Sequence, residues 1–177
     1  MAVADHSPKP VRLHSTGVLL AGGIFMALGV LFPVVFHILG LGPVFLPMFY
    51  PILLAGFLLP WPVALAVGIF TPLLSNLLTQ MPPLFILPVM MAEGVVLATV
   101  PKLARSLTWV RVTAVTAFTL LIDRVLVFVL VAALAPLLHI PPKLTALAAT
   151  LQGLPGCLVI VVVIPILSSR MAGLVKY

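Results

Sequence analysis

Three ionisable side chains, those of Glu93, Asp123 and Arg124, lie within long apolar stretches of the sequence. A charge in the middle of a bilayer costs about 2.5–3.5 kcal/mol on insertion scales, so such residues normally face the interior of a helix bundle. Because neighbouring residues on a helix point about 100° apart, Asp123 and Arg124 are not expected to face one common partner. The sequence therefore predicts a Glu93–Arg124 pair between two helices. This pair either joins the helices or binds a polar ligand.

Polar residues form a second candidate group, in stretches expected to lie in the outer half of a membrane. Asn76 and Gln80 are four residues apart and share one helix face, beside Ser75 and Thr79. Hydrogen bonds between helices explain any single member of this group as well as a ligand does. Their presence on several helices favours a shared pocket. The predicted substrate-binding residues are His37, Tyr50, Asn76, Gln80, Glu93, Arg124 and Gln152.

The sequence contains no catalytic motif. It has no Ser/His/Asp set, no HExxH pair and no GxxxxGK phosphate loop, so we expect neither an enzyme nor a chain that hydrolyses ATP itself. His37 and His139 do not have the spacing of metal ligands, and Cys157 is the single cysteine. We therefore expect no metal and no cofactor, and we interpret Cys157 as a buried, inert thiol.

The elements that must position these residues are transmembrane helices. The mean hydropathy is +1.37, 63% of the residues are hydrophobic and 7% are charged, a composition that excludes an ordinary soluble domain. The apolar runs are continuous, whereas the strands of a membrane barrel alternate in polarity. The sequence thus predicts an all-α integral membrane protein within the lipid bilayer.

Six membrane crossings are predicted, with a polar tail at 1–15, a transmembrane domain at 16–170 and a second tail at 171–177. The stretch from Phe45 to Pro83 contains no Lys, Arg, Asp, Glu or His and is long enough for two crossings of about 20 residues. Pro-Trp-Pro at 60–62 is expected to connect them. The crossings are expected at about 16–36, 45–59, 62–79, 84–100, 112–134 and 144–167.

Six crossings place both termini on one side of the membrane, and the basic residues indicate which side. With both termini in the cytoplasm, Lys143 is the one basic residue outside and Arg124 lies within crossing 5. This bias follows the positive-inside rule, so the net charge of +6 sets topology and is not a sign of nucleic-acid binding. The basic residues expected inside are Lys9, Arg12, Lys102, Arg105, Arg111, Arg170 and Lys176.

Crossing 1 carries small residues at four-residue spacing, a pattern that lets another helix approach closely. The pairs are Gly17 with Ala21, and Gly23 with Ala27. They serve either packing within the bundle or docking to a separate subunit, and the pattern alone does not decide between the two.

The run FLPMFYPILLAGFLLPWPVALAVGIFTPLLSNLLTQMPP, with Glu93-Gly94 in crossing 4 and LPG and IP in crossing 6, resembles a known family. It is similar to the substrate-binding S components of energy-coupling-factor (ECF) vitamin transporters, in the branch of pantothenate and pyridoxine or hydroxymethylpyrimidine carriers. The resemblance spans roughly 17–167, and TPLLS and MPP are its specific part. It implies a six-helix bundle in a bacterial plasma membrane that captures a vitamin near its outer face.

The resemblance also implies partners. The small-residue face of crossing 1 would dock on a transmembrane T subunit, with two ATPase subunits below, and the loop at 37–44 would form part of a gate. Two positions depart from the pattern of the relatives: Phe49 stands where they have His after FLPM, and Gln80 where they have Gly before MPP. Both lie near the expected pocket, so the identity of the vitamin is not carried over.

Two other functions fit the same architecture. A structural membrane protein of the cell-shape (MreD-like) type would need partner surfaces but no outer polar pocket. A stand-alone permease would take up its substrate without ATPase subunits. The sequence leaves open the vitamin, the affinity, the oligomeric state and whether the ECF module is shared.

Overall fold

The computed structural model describes residues 11–12, 15–104, 108–134, 146–172 and 175–176. Predictions for most of both tails, and those for Arg105, His139 and Lys143, fall outside these ranges. The elements, in chain order, are β1 (Val11–Arg12), α1 (Ser15–Ile38), α2 (Gly42–Phe45), α3 (Phe49–Leu58), α4 (Trp61–Thr79), α5 (Leu87–Thr99), a 3₁₀ turn (Val100–Leu103), α6 (Trp109–Leu134), α7 (Ala146–Gln152), α8 (Leu154–Ala172) and β2 (Val175–Lys176).

Four of the described helices, α1, α4, α6 and α8, are long and apolar enough to cross a membrane. The chain is therefore a helical, membrane-embedded protein. Predicted crossings 2 and 4 correspond to α3 and α5, which have 10 and 13 residues. At 1.5 Å per residue these helices rise about 15 and 20 Å, less than the ~30 Å of a bilayer core. The described part of the chain thus contains four helices of spanning length where six were predicted.

Two of the predicted crossings are interrupted for identifiable reasons. Between α2 and α3, Leu46 adopts the left-handed conformation with φ of 51°, and it precedes Pro47, which disfavours helical geometry at the residue before it. Between α7 and α8, Gly153 forms a turn. A Cβ at Gly153 would lie 2.7 Å from Nη1 of Arg124 and 3.1 Å from Cδ1 of Leu46, so the turn passes where a side chain does not fit.

Helix α3 is the centre of the bundle. Nine of its ten residues are buried, and it contacts α1, α4, α5 and α8. A short helix inside a membrane leaves its terminal carbonyl groups without intrahelical partners. Nζ of Lys102, in the 3₁₀ turn, donates a hydrogen bond to the carbonyl oxygen of Leu59, the residue that ends α3. A cation at this position also stabilises the negative end of the helix dipole.

Glycines set the closest approach between helices. Gly68 on α4 and Gly94 on α5 face each other so closely that a Cβ on either would overlap the other's backbone carbonyl. On α1, Gly22 and Gly29 lie against Val63 and Thr71 of α4. Glycine is used at such positions because only the absence of a Cβ lets two backbones approach.

The two ends of the described chain meet. β1 pairs with β2 in parallel, with Arg12 opposite Lys176. The end of the bundle where α3 finishes and α4 begins carries Lys102, and Nε1 of Trp61 donates a hydrogen bond of 3.4 Å to Oγ1 of Thr99 there. The opposite ends of α1 and α4, near His37 and Gln80, lie at the other end of the bundle.

The contact between Gly68 and Gly94 gives a stability prediction. Gly94→Ala should strongly lower the thermal stability of the purified protein in detergent, because the new methyl group must push α4 and α5 apart. Gly23→Ala is the matched control, since nothing lies within 4 Å of a Cβ at that exposed position. It should be neutral or slightly stabilising, because alanine is the better helix former. Equal effects of the two substitutions would contradict the close approach.

The Lys102 cap gives a pH prediction. Burial lowers the pKa of Lys102 from 10.5 to about 8. Between these values the unfolded chain holds a proton that the folded chain has released, so the free energy of unfolding should rise with pH in this window. Below about pH 8 both states are protonated and the contribution of this group is flat. Lys102→Arg does not titrate here, so its unfolding curve should lack this component. Parallel pH curves for the two proteins would contradict the lowered pKa.

Candidate functional site

A buried cluster of charges joins α5 to α6. Nη2 of Arg124 donates a hydrogen bond of 3.0 Å to Oε1 of Glu93 and one of 2.6 Å to Oδ2 of Asp123. Nε of Arg124 donates a further 3.0 Å bond to the same Asp123 oxygen. The predicted Glu93–Arg124 pair is confirmed as a contact. The sequence analysis did not predict the contact between Asp123 and Arg124 themselves, which forms because the long arginine side chain folds back along α6.

The cluster has two carboxyl groups and one guanidinium. Asp123 is fully buried, and Glu93 and Arg124 are 7% and 8% exposed. Oδ1 of Asp123 has no hydrogen-bond partner among the described residues. Because an isolated charge is costly inside a protein, Arg124 has to pair with carboxyl groups from two helices, Glu93 on α5 and Asp123 on α6. The arginine is therefore the member on which the other two depend.

The surroundings of Arg124 fix its orientation. Its guanidinium carbon lies 5.5 Å from the centre of the Phe49 ring, a distance suitable for a cation–π interaction. On another side, Nη1 lies against the turn at Gly153. Residues from α3, α5, α6 and the α7–α8 turn thus converge on one guanidinium group.

A separate cavity of about 390 Å³ lies at one end of the bundle. It is bounded by the last turns of α1 and α4, the segment from α2 to the start of α3, and the loop that leads into α5. The volume falls within the usual range for small-molecule sites. The lining residues are Pro33, His37, Gly42, Pro43, Leu46, Pro47, Met48, Phe49, Ser75, Gln80, Met81, Pro82, Pro83, Phe85, Ile86 and Met90.

Ser75 is the polar residue of the cavity that sequence reasoning did not select. It is fully buried, it lines the cavity, and its Oγ has no hydrogen-bond partner among the described residues. A buried hydroxyl group without a partner costs about 1–3 kcal/mol, so its position beside an open volume indicates a group that a ligand can satisfy. The polar cluster that contains Ser75 is visible in the sequence, but its burial is not.

Three of the predicted residues lie at or beside the cavity. His37 and Gln80 line it, and both are exposed. Gln80 ends α4 with φ of 58°, in the left-handed region that favours glycine. Asn76 does not line the cavity; its Nδ2 donates a 2.7 Å hydrogen bond to the carbonyl oxygen of Pro82. Asn76 therefore holds the loop that forms one wall.

The other predicted residues lie elsewhere. Tyr50 is half-buried and packs against the apolar core, and Gln152 is exposed at the end of α7. Glu93 and Arg124 belong to the charged cluster and are not among the residues that line the cavity. Phe49 belongs to both places, since its ring lines the cavity and lies over Arg124. The single predicted pocket is thus divided into a cavity and a charged cluster that meet at Phe49.

The four small residues predicted for docking are not on one surface. Ala21 packs against the apolar core and Gly17 is half-buried, whereas Gly23 and Ala27 are exposed. The small residues of α1 that pack within the bundle are Gly22 and Gly29, which contact α4. Gly22 and Gly29 are seven residues apart, so the search for four-residue spacing did not select them.

Comparison with known proteins adds no relative. The chain matches no protein-family model, no curated protein and no solved structure. The class that the fold defines is a helical, membrane-embedded protein with a cavity at one end of the bundle.

The charged cluster predicts an order of stability for its variants. Arg124→Gln leaves two buried carboxyl groups without their cation and should lower the free energy of unfolding by about 3–5 kcal/mol. Asp123→Asn keeps the Glu93–Arg124 pair with balanced charge and should cost less. Reversible unfolding in mixed micelles measures both. Arg124→Lys should fall between them, because it keeps the charge but not the fork that reaches two carboxylates. If Asp123→Asn lowered the free energy of unfolding as much as Arg124→Gln, the central role of Arg124 would be contradicted.

Proposed function

We propose that this protein is the substrate-capture (S) component of an ECF-type transporter. It binds a small vitamin or vitamin precursor in the cavity at the end of the bundle. A transmembrane T subunit and two ATPase subunits then import the solute at the expense of ATP. The observation that carries the proposal is the cavity of about 390 Å³ in which the buried Oγ of Ser75 has no partner among the described residues.

The cavity combines apolar walls with polar groups to which a ligand could form hydrogen bonds. Pockets for small molecules are mostly apolar with a few polar groups that orient the ligand, and this cavity has Ser75, His37 and Gln80 among apolar neighbours. A ligand that accepts or donates a hydrogen bond at Ser75 removes the cost of an unpaired buried group. The wall formed by the loop is held by the bond from Asn76 to Pro82. The site is thus formed before a ligand arrives.

The proposal includes a topology of six crossings. The segment Gly42–Leu58 and α5 count as the second and fourth crossings, and α7 with α8 as the sixth. An even number is supported by the pairing of β1 with β2, which brings the two ends of the chain together. Lys102 marks that same end of the bundle as basic. By the positive-inside rule this end is cytoplasmic, and the cavity faces outward from a bacterial plasma membrane.

The docking surface of the proposed transporter is the exposed face of α1. Gly23 and Ala27 are exposed there, and small side chains let a helix of a T subunit approach closely. Gly17 and Ala21 lie on a different part of the helix surface and are half-buried. The contact with the partner is therefore expected to centre on Gly23 and Ala27.

The cavity favours capture over the two alternatives in different ways. A structural cell-shape protein has no use for a buried hydroxyl group beside an open volume, so Ser75 weighs against it. A stand-alone permease would need the cavity as well. An S component requires ATPase subunits for uptake, whereas a permease does not.

Ser75→Ala tests the ligand site. Without ligand, the free energy of unfolding of the variant should be about 1 kcal/mol higher, because an unpaired buried hydroxyl group is removed. It should bind the ligand about tenfold more weakly, because one hydrogen bond is lost. Calorimetry in detergent measures binding to pantothenate, pyridoxine, hydroxymethylpyrimidine and niacin, together with any small molecule that copurifies and is identified by mass spectrometry.

Two controls make this test specific. Thr116→Val also removes a buried, unpartnered hydroxyl, but on α6 and away from the cavity lining, so it should leave binding unchanged. Gln80→Gly and Gln80→Ala remove the same side chain, and only glycine relieves the left-handed φ of 58°. If Gln80 contacts the ligand, both weaken binding alike while Gln80→Gly alone gains stability. If no compound binds the intact chain, the capture function is refuted.

A further inference from the structure

We infer that the cavity selects a ligand that is uncharged at neutral pH, and that Phe49 enforces this by separating the cavity from Arg124. The inference rests on the proposed capture function and names the chemical class of its substrate. It is carried by the composition of the cavity wall and by the two contacts of one aromatic ring.

The described residues of the cavity wall offer no charged partner to a ligand, since none of them is Asp, Glu, Lys or Arg. Among these described residues His37 is the histidine, and its side chain is exposed to solvent. A charged ligand that enters such a volume loses its hydration without gaining a partner, and the penalty for an unpaired buried ion exceeds what apolar contacts of a small molecule return. A neutral ligand does not meet this penalty.

Arg124 is close to the cavity but is not available to it. Its guanidinium group donates to Glu93 and Asp123, so these hydrogen bonds are directed to the two carboxyl groups and not to the cavity. Phe49 lines the cavity and is 3% exposed, and its ring lies over the guanidinium group. An anion in the cavity therefore meets the ring and not the cation.

The remaining lining groups describe the ligand further. Phe49, Phe85, Met48, Met81 and Met90 supply flat and adaptable apolar surface, and thioethers make favourable contacts with aromatic rings. Oγ of Ser75 supplies one buried hydrogen-bonding point. The geometry fits a neutral ring compound that carries a hydrogen-bonding substituent.

Matched pairs of compounds that differ only in charge test the inference. Nicotinamide is compared with nicotinate, and panthenol with pantothenate, alongside pyridoxine, hydroxymethylpyrimidine and any copurified small molecule. Binding to the full chain in detergent is measured by calorimetry at neutral pH. The neutral member of any pair that binds should bind at least about tenfold more tightly, and any copurified compound should be uncharged.

Phe49→Leu tests the shielding role of the ring. The smaller side chain uncovers Arg124 towards the cavity, so the preference for the neutral member should fall severalfold. Phe85→Leu is the matched control, because it also removes a lining ring but not the ring placed over Arg124. It should weaken both members of a pair alike. If Phe49→Leu fails to fold, Phe49→Met supplies a side chain of closer volume with the same expectation.

The outcomes separate the inference from the function on which it rests. Equal affinities, or tighter binding of the charged member, overturn the inference while the capture function stands. Tight binding of neutral compounds with unchanged selectivity in the Phe49 variants supports the neutral ligand and overturns the shielding role. Binding of membrane lipid alone, or of no compound, refutes the capture function itself.

Discussion

The attachment of two carboxyl groups to the guanidinium of Arg124 is the constraint on which the rest of the structure depends. Three charged groups within apolar helices are tolerable only when they meet, because each alone would be costly in a membrane. Their meeting fixes the position of α6 against α5. It also fixes the turn at Gly153 and the ring of Phe49, which both lie against the guanidinium.

The division between the charged cluster and the cavity explains how one bundle can hold ions and still offer an apolar site. The charged groups bind one another beside the ring of Phe49, and Phe49 also lines the cavity. Among the described lining residues, Ser75 has a buried hydroxyl group without a hydrogen-bond partner. Glycine contacts such as that of Gly68 with Gly94 bring α4 and α5 together below the cavity. Close backbone packing in one part of the bundle thus coexists with open volume in another.

Sequence reasoning reached the membrane class and the Glu93–Arg124 contact because both follow from the cost of charge in lipid. It did not predict that Asp123 accepts hydrogen bonds from Arg124, because the angle between adjacent residues says little about where a long arginine side chain can bend. It selected exposed polar residues such as Gln152 and passed over Ser75, because burial depends on packing that no local pattern encodes. The short length of α3 was also missed, because the continuous apolar run was given more weight than Pro47, which disfavours helical geometry at Leu46.

The burial of α3 has a consequence for how its position is determined. With ten residues, nine of them buried, this helix rises about 15 Å and presents almost no surface to lipid. Its apolar side chains contact α1, α4, α5 and α8 instead of lipid, and its length does not cross the bilayer core. The final position of this helix therefore depends on the longer helices that surround it.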